Sequence, residues 1–228
     1  MSTLSIIGTP IGNLEDITLR ALRILASVDV VLCEDTRTTK KLLSQHSIVT
    51  STLSYHAHSK LSRVEEIIRL LKEGKNLALV SDAGTPGISD PGAELVSIIR
   101  RELSEQIKDK SIKIESIPGP SALTAALSIA GVSCADFVFL GFLPHKKGRE
   151  TLFKEIATMD RTCIFYESPH RIMKTLQSLT EHTSKKVTVC RELTKIFEEV
   201  VSGSPQEVLA NFQNHQDTVR GEFVVIVS

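Results

Sequence analysis

The first half of the chain alternates short apolar runs with stretches whose apolar residues recur at helical spacing. The short runs predict buried strands at residues 3–8, 28–33, 76–81 and 110–117. The other stretches predict helices at residues 17–25, 38–46, 63–73 and 93–103. Asn13 or Asp16 is expected to cap the first of these helices. Such alternation predicts a mostly parallel sheet with helices on its faces.

The second half of the chain is richer in strands. Its apolar runs predict strands at residues 137–140, 161–166, 187–192, 198–202 and 222–227. Helices are predicted at residues 122–130, 148–158, 169–181 and 205–213. Both halves therefore belong to the α/β class, and the second is expected to contain a mixed sheet.

A proline-rich segment separates the two halves. Residues 118–120 read Pro-Gly-Pro, which interrupts any regular element and is the best candidate for a hinge. We therefore expect an N-terminal α/β domain at residues 1–117 and a C-terminal α/β domain at residues 121–228. A length of 228 residues is sufficient for two small domains.

The charge composition argues against a surface coated in basic residues. The chain carries 27 basic and 27 acidic side chains, has no tryptophan and is 41% hydrophobic. These values are typical of a globular protein with a real core. A nucleic-acid substrate would need a local basic patch or a contribution from a second subunit.

The four cysteines show neither zinc-ligand spacing nor a CxxC pair. Three of them lie in apolar runs and are expected to be buried free thiols, which indicates a reducing, cytoplasmic location. The first residues do not resemble a signal peptide. No apolar run approaches the length of roughly 18–20 residues that a membrane span needs, so no membrane association is expected.

Two Gly/Pro-rich loops follow predicted strands in the first half. Residues 81–92 contain three glycines and two prolines, which allow close backbone approach to a ligand and stiffen the loop. In an open α/β sheet, ligands bind beyond the carboxyl ends of strands. The alternative is an ordinary irregular turn. Residues 8–13 read GTPIGN rather than GxGxxG, so the usual dinucleotide fingerprint is absent.

Four segments with charged or titratable side chains complete the candidate chemistry. Glu34 and Asp35 end the second predicted strand, where a dinucleotide fold would place a ribose-binding carboxylate. Residues 145–149 are basic and suit phosphate contact, although a solvated loop explains them as well. For His170 taken alone, an ordinary surface position is the favoured interpretation. The charged run at 191–199 is compatible with a solvated face whose ion pairs contribute little.

The order of these motifs resembles one family. GTPIGNLEDIT, EDTR, SDAGTPGISDPG, PGPSA, GFLP, YESPHR and CRELTK occur in sequence over nearly the whole chain, as in the ribosomal RNA small-subunit methyltransferase I family of the tetrapyrrole methylase-like, class III methyltransferases. The resemblance implies two α/β domains with S-adenosylmethionine in the cleft between them, and a homodimer. It also implies 2′-O-methylation of a cytidine ribose in the decoding region of 16S ribosomal RNA within the small ribosomal subunit.

Carried over by position, the resemblance implies cofactor contacts in both domains. These residues are Pro10, Ala83, Gly84, Thr85, Ile88, Ser121, Ala122, Phe142, Leu143 and Tyr166. Family members often continue beyond the strand that ends this sequence, and the shorter chain would have fewer basic contacts with RNA.

Methyl transfer from an activated sulfonium needs no metal, so positioning should dominate, with a base to assist the weakly acidic hydroxyl. The base candidates are Glu34, Asp35, Glu167, Lys147 and Lys195. Glu167 with Lys195 or Arg191 is expected to frame the target. The expected RNA contacts are Arg37, Lys146, Arg149, His170 and Arg171.

Other functions remain open at this point. A methyltransferase acting on a tetrapyrrole or another small molecule is the main alternative, and the EDTR and YESPHR segments favour RNA over it. A non-catalytic nucleotide-binding module is a second alternative. An NAD-dependent oxidoreductase is disfavoured because GxGxxG is missing.

Overall fold

The computed structural model describes residues 1–56 and 61–228. It divides into two compact units, Met1–Ser121 and Ala122–Ser228. Each unit contains its own five-stranded sheet with helices, so both are α/β units. Within the described residues, no helix combines the length and apolar character needed to cross a membrane.

The sheet of the first unit is entirely parallel, as the strand–helix alternation predicts. Its strand order is β3-β2-β4-β1-β5. The strands are β1 (Ser2–Ile7), β2 (Val30–Cys33), β3 (Ser51–Ser54), β4 (Leu77–Leu79) and β5 (Ile112–Ile117). Because all five strands run the same way, the loops that follow them emerge at one edge of the sheet.

Within residues 1–56 and 61–121, five α-helices accompany this sheet. They are α1 (Leu19–Ser27), α2 (Thr36–Gln45), α3 (Leu61–Lys72), α4 (Gly92–Glu102) and α5 (Ser104–Lys108). The predicted cap of the first helix is wrong, because Thr18 accepts the Ala21 N–H and α1 begins at Leu19. Asn13 instead accepts the Glu15 N–H and caps a 3₁₀ turn. A short polar side chain can serve either turn, so composition alone does not decide between them.

Apolar residues cover both faces of the first sheet. On one face Leu4, Leu32 and Leu77 pack with buried residues of α3 and α4. On the other face Ile7, Val31 and Ala78 pack with buried residues of α1 and α2. Burial on both faces explains why β2 and β4 are near-continuous apolar runs in the sequence.

The second unit contains the expected mixed sheet, with strand order β6-β7-β10-β8-β9. β6 and β7 are parallel, and the other neighbours are antiparallel. The strands are β6 (Phe137–Phe142), β7 (Thr162–Glu167), β8 (Val187–Arg191), β9 (Glu199–Gly203) and β10 (Phe223–Val227). The helices are α6 (Ala122–Ile129), α7 (Arg149–Thr158), α8 (Ile172–His182) and α9 (Pro205–Asn214).

A single apolar cluster forms the core of the second unit. Phe153, Phe165, Leu176 and Phe212 are fully buried in it, contributed by α7, β7, α8 and α9. Three cysteines, Cys33, Cys163 and Cys190, are buried and Cys134 is half-buried, and all four are free thiols. Burial raises the pKa of Cys163 and of Cys190 to about 11, which keeps both protonated.

Candidate functional site

Two loops of the first unit are joined by backbone hydrogen bonds. The Thr9 N–H donates to the Gly84 carbonyl at 2.9 Å, and the Gly84 N–H donates to the Thr9 carbonyl at 3.1 Å. The Thr9 hydroxyl also donates to the Ser81 carbonyl at 3.2 Å. The loops after β1 and β4 are therefore held together at the carboxyl edge of the sheet.

The loop after β5 completes this arrangement. A Cβ added at Gly119 would lie 2.6 Å from the Gly8 carbonyl oxygen, and one added at Gly8 would lie 2.8 Å from the Gly119 Cα. The Thr85 hydroxyl donates to the Pro120 carbonyl at 3.1 Å. We call the joined loops, residues 8–10, 81–87 and 118–120, the three-loop edge.

The Gly/Pro loop after β4 has its own internal support. One carboxylate oxygen of Asp90 accepts the Gly87 N–H at 2.8 Å and the Gly92 N–H at 2.7 Å. A Cβ at Gly92 would lie 2.8 Å from that same oxygen, so a glycine lets the carboxylate reach both amides. The loop is thus held in shape by its own hydrogen bonds.

Removing this support should loosen the loop. We expect Asp90→Ala to destabilise the protein by about 1–2 kcal/mol, as for other lost caps, and to weaken cofactor binding about 10-fold. Thermal unfolding and calorimetric titration with S-adenosylmethionine measure the two effects. Asp109→Ala is the matched control, because Asp109 accepts the Ser111 N–H in a turn before β5. If both variants bind the cofactor equally well, Asp90 does not shape a binding loop.

Acidic side chains flank the three-loop edge. Burial, together with the charges of Asp82 and Asp90, raises the pKa of Glu34 above its ordinary value of 4.5. Asp35 behaves differently, because its hydrogen bonds with the Arg37 side chain and the Arg37 N–H lower its pKa to about 2. Asp35 is therefore the N-terminal cap of α2 and an ion-pair partner, and it is a poor base.

The predicted cofactor residues of the first unit lie on or beside the three-loop edge. Pro10 and Gly84 are buried within it, and Thr85 is half-buried. Ala83 and Ile88 are exposed. Ser121 is the last residue of this unit.

The predicted cofactor residues of the second unit differ in how far their side chains are exposed. Phe142 and Tyr166 meet edge to face, with ring centroids 5.5 Å apart, and Phe142 is exposed. Ala122 is the half-buried first residue of α6. The Leu143 side chain is buried in the core, so only its backbone could meet a ligand.

Glu167 lies in a buried polar cluster rather than at the surface. Its side chain is 0% exposed and forms ion pairs with Arg149 at 3.2 Å and Arg171 at 2.7 Å. It also accepts from the Thr175 hydroxyl at 2.6 Å and from the Ser168 N–H at 2.8 Å. The structure therefore places Arg149 and Arg171, both expected to contact RNA, against Glu167.

The other predicted basic residues are exposed. Lys146, Lys147 and His170 all face solvent. Arg37 is also exposed, with its guanidinium paired to Asp35 at 2.6 Å. These four side chains remain suitable for phosphate contact.

Arg191 and Lys195, which are expected to frame the target with Glu167, each form ion pairs with other glutamates. Arg191 is buried and pairs with Glu199 at 2.6 Å. Burial alone would lower the pKa of Lys195, but hydrogen bonds to Glu192 and Glu222 outweigh burial and raise it. Lys195 therefore stays charged, and the expectation that desolvation turns it into a base is not supported.

Three polar side chains near the candidate site are not among the residues predicted from the sequence. Thr9 and Ser81 each lie two residues beyond the end of a strand, within quoted motifs, and their hydroxyls could have been recognised as loop supports. Thr175 lies one helical turn after Arg171, so the two share a face of α8. Only the fold shows that this face meets Glu167. Among the described residues, no group of three or more His, Cys, Asp or Glu side chains could hold a metal ion.

Comparison with known proteins gives consistent results. A family model described as Tetrapyrrole (Corrin/Porphyrin) Methylases matches residues 3–209. A Thermotoga maritima protein named Ribosomal RNA small subunit methyltransferase I is 43% identical over 229 residues, which cover 100% of this chain and 99% of that protein. The Bacillus subtilis protein of the same name is also 43% identical, over 100% of this chain and 75% of its own length.

Solved structures share the fold at low sequence identity. Diphthine synthase matches with a TM-score of 0.71 and 14% identity, covering 100% of this chain and 90% of that one. Uroporphyrin-III-C-methyltransferase from Thermus thermophilus matches with a TM-score of 0.66 and 17% identity, covering 99% and 94%. These matches agree with two successive α/β units carrying a parallel and a mixed sheet.

Proposed function

Because the chain belongs to the ribosomal RNA small subunit methyltransferase I family, within the tetrapyrrole methylases, we propose that it methylates the 2′-hydroxyl of a cytidine ribose in 16S ribosomal RNA. The methyl donor is S-adenosylmethionine, and the target lies in the decoding region of the small ribosomal subunit. The chain is similar over its full length to a protein named Ribosomal RNA small subunit methyltransferase I, and this similarity favours RNA over a tetrapyrrole as the substrate.

The three-loop edge fits the chemistry of this methyl donor. S-adenosylmethionine combines a neutral adenosine with a positively charged sulfonium that carries an activated methyl group. Ala83 and Ile88 offer exposed apolar surface, and Thr85 offers a hydroxyl. Glu34 and Asp82 add negative charge beside the same loops, which favours a cationic ligand.

Glu34 is the best candidate for the base. Asp35 is engaged in capping, Lys195 is held charged, and the oxygens of Glu167 are already bonded in a buried cluster. Lys147 is exposed, where it suits phosphate contact better than proton transfer. Glu34 combines partial burial with a raised pKa, so its carboxylate accepts a proton more readily than an ordinary glutamate.

Local basic residues would hold the RNA. The net charge is zero, so binding depends on exposed clusters rather than on the whole surface. His145, Lys146 and Lys147 form such a cluster, with His170 and Arg37 elsewhere. We further propose a cytoplasmic homodimer, whose second subunit would add its own basic cluster. Light scattering of the purified protein tests the dimer.

Methyl transfer to purified small ribosomal subunits tests the proposed function. Methyl-labelled S-adenosylmethionine should label 16S ribosomal RNA at one position, recovered as 2′-O-methylcytidine by nucleoside mass spectrometry. Uroporphyrinogen III, offered in parallel, should remain unlabelled. Label on the tetrapyrrole alone would establish the small-molecule alternative. Tight cofactor binding without transfer to either substrate would instead indicate a regulatory module.

A further inference from the structure

The two arginines that pair with Glu167 also bond to a neighbouring loop. Arg171 Nη1 donates to the Leu143 carbonyl at 2.8 Å, and Arg149 Nη1 donates to the Pro144 carbonyl at 3.2 Å. Each guanidinium therefore joins the Glu167 carboxylate to one of two consecutive backbone carbonyls. Both arginine side chains are largely buried, at 12% and 15% exposure.

Those carbonyls lie where the exposed basic loop begins. Residues 145–147, His-Lys-Lys, follow directly and face solvent. The loop ends at Gly148, whose φ of +82° suits glycine, and the Arg149 N–H donates back to the Lys146 carbonyl at 3.3 Å. The two residues before the loop, Leu143 and Pro144, are thus bonded to a buried cluster, while the lysines of the loop remain exposed to solvent.

We propose that Glu167, Arg149, Arg171 and Thr175 form a brace that fixes the basic loop in the shape that binds RNA phosphates. Glu167 is then a positioning residue rather than the base, and Arg149 and Arg171 act through the loop. This inference rests on the proposed RNA substrate. It also assigns a role to the YESPHR segment, because the glutamate and the arginine of that segment both belong to the brace.

The hydrogen bonds of Glu167 argue against a role in proton transfer. Oε1 accepts from Arg171 and from the Ser168 N–H, and Oε2 accepts from Thr175 and Arg149. Both carboxylate oxygens are therefore occupied by donors, and the side chain has no exposed surface toward a substrate.

Holding the loop in advance matters because binding then orders fewer groups. A loop that must become ordered on contact with RNA loses conformational entropy at that moment, which weakens affinity. Loss of the brace should therefore raise KM for the ribosomal subunit and leave kcat unchanged. A defect in the chemical step would instead lower kcat and leave KM unchanged.

Thr175→Val and Glu167→Gln test the brace. Valine has nearly the shape of threonine but lacks the hydroxyl, so this variant tests the brace even if Glu167→Gln does not fold. We expect KM for small ribosomal subunits to rise about 10-fold, with kcat and the cofactor Kd unchanged. Amide hydrogen exchange of residues 143–149 should become faster. Thr180→Val, on the same helix with its hydroxyl bonded to the Gln177 carbonyl, should change none of these values.

Two results would overturn the brace. One is unchanged exchange of residues 143–149 in Thr175→Val. The other is a kcat that falls about 100-fold at constant KM, which would return Glu167 to the chemistry. Hydrogen exchange requires no RNA, so it decides the brace even if the wild-type protein methylates no ribosomal RNA and the proposed function fails.

Discussion

Glu34→Gln is expected to slow methyl transfer about 100-fold or more, since general base catalysis typically contributes roughly 10²–10⁴-fold. Glutamine keeps the size and hydrogen-bonding capacity of the side chain but cannot accept the proton. Single-turnover transfer to small ribosomal subunits, at saturating S-adenosylmethionine, isolates this step. The wild-type rate should rise with pH through the raised pKa of Glu34, and the variant should lack that rise.

Although Glu34→Gln is expected to slow methyl transfer, it should raise the thermal stability of the protein. A raised pKa means that folding favours the protonated carboxyl, so ionisation of Glu34 destabilises the native state once pH exceeds the ordinary value of 4.5. Glutamine lacks this effect, and the variant should melt slightly higher than wild type at neutral pH. Asp35→Asn, the adjacent control, should retain most activity and melt slightly lower, because asparagine can still cap α2 but cannot form the ion pair with Arg37. An unchanged single-turnover rate in Glu34→Gln would remove Glu34 from the reaction.

Gly119→Ala is expected to destabilise the first unit by about 3 kcal/mol or more, the upper range for overpacking. The new methyl would lie 2.6 Å from the Gly8 carbonyl oxygen, which is a backbone atom and cannot rotate away. Relief therefore requires the loops after β1 and β5 to separate. In a protein of this size the change corresponds to a melting temperature lower by on the order of 6–12 °C. Because the three-loop edge opens, affinity for S-adenosylmethionine should also fall at least about 10-fold.

Gly74→Ala provides the comparison for this variant. Gly74 has a φ of +85°, and an added Cβ would meet nothing within 4 Å. Because alanine disfavours the left-handed conformation, Gly74→Ala should lower the free energy of unfolding by about 1–2 kcal/mol. Cofactor binding should remain intact. If Gly119→Ala bound the cofactor as wild type does, close contact between the two loops would not be a requirement of the site.

Local pattern predicted the framework of the chain well for physical reasons. Strands buried on both faces appear as apolar runs, and all four strand predictions in the first half locate strands of the parallel sheet. β3 and α5 are short, with few buried side chains, and gave only a weak signal. The sequence from Ser54 to His58 is typical of a strand end or loop. β3 ends at Ser54, whereas Ala57 and His58 lie outside the described residues.

The roles of charged residues were harder to predict than their positions. Glu34 and Asp35 are adjacent in sequence, yet one is partly buried near other carboxylates and the other caps a helix. Glu167 follows a strand like other candidate residues, but its side chain points to two arginines and a threonine. These differences depend on which elements pack together, and a linear motif does not contain that information.

The order of strands in each sheet has a consequence for synthesis on the ribosome. β1 is made first but lies inside its sheet between β4 and β5, so its pairing with β5 must wait until residue 117 has emerged. β10 is made last but occupies the centre of the second sheet, between β7 and β8. Each sheet thus completes late during translation, and nascent chains that stop before Phe223 would expose two unpaired strand edges to chaperones and to aggregation.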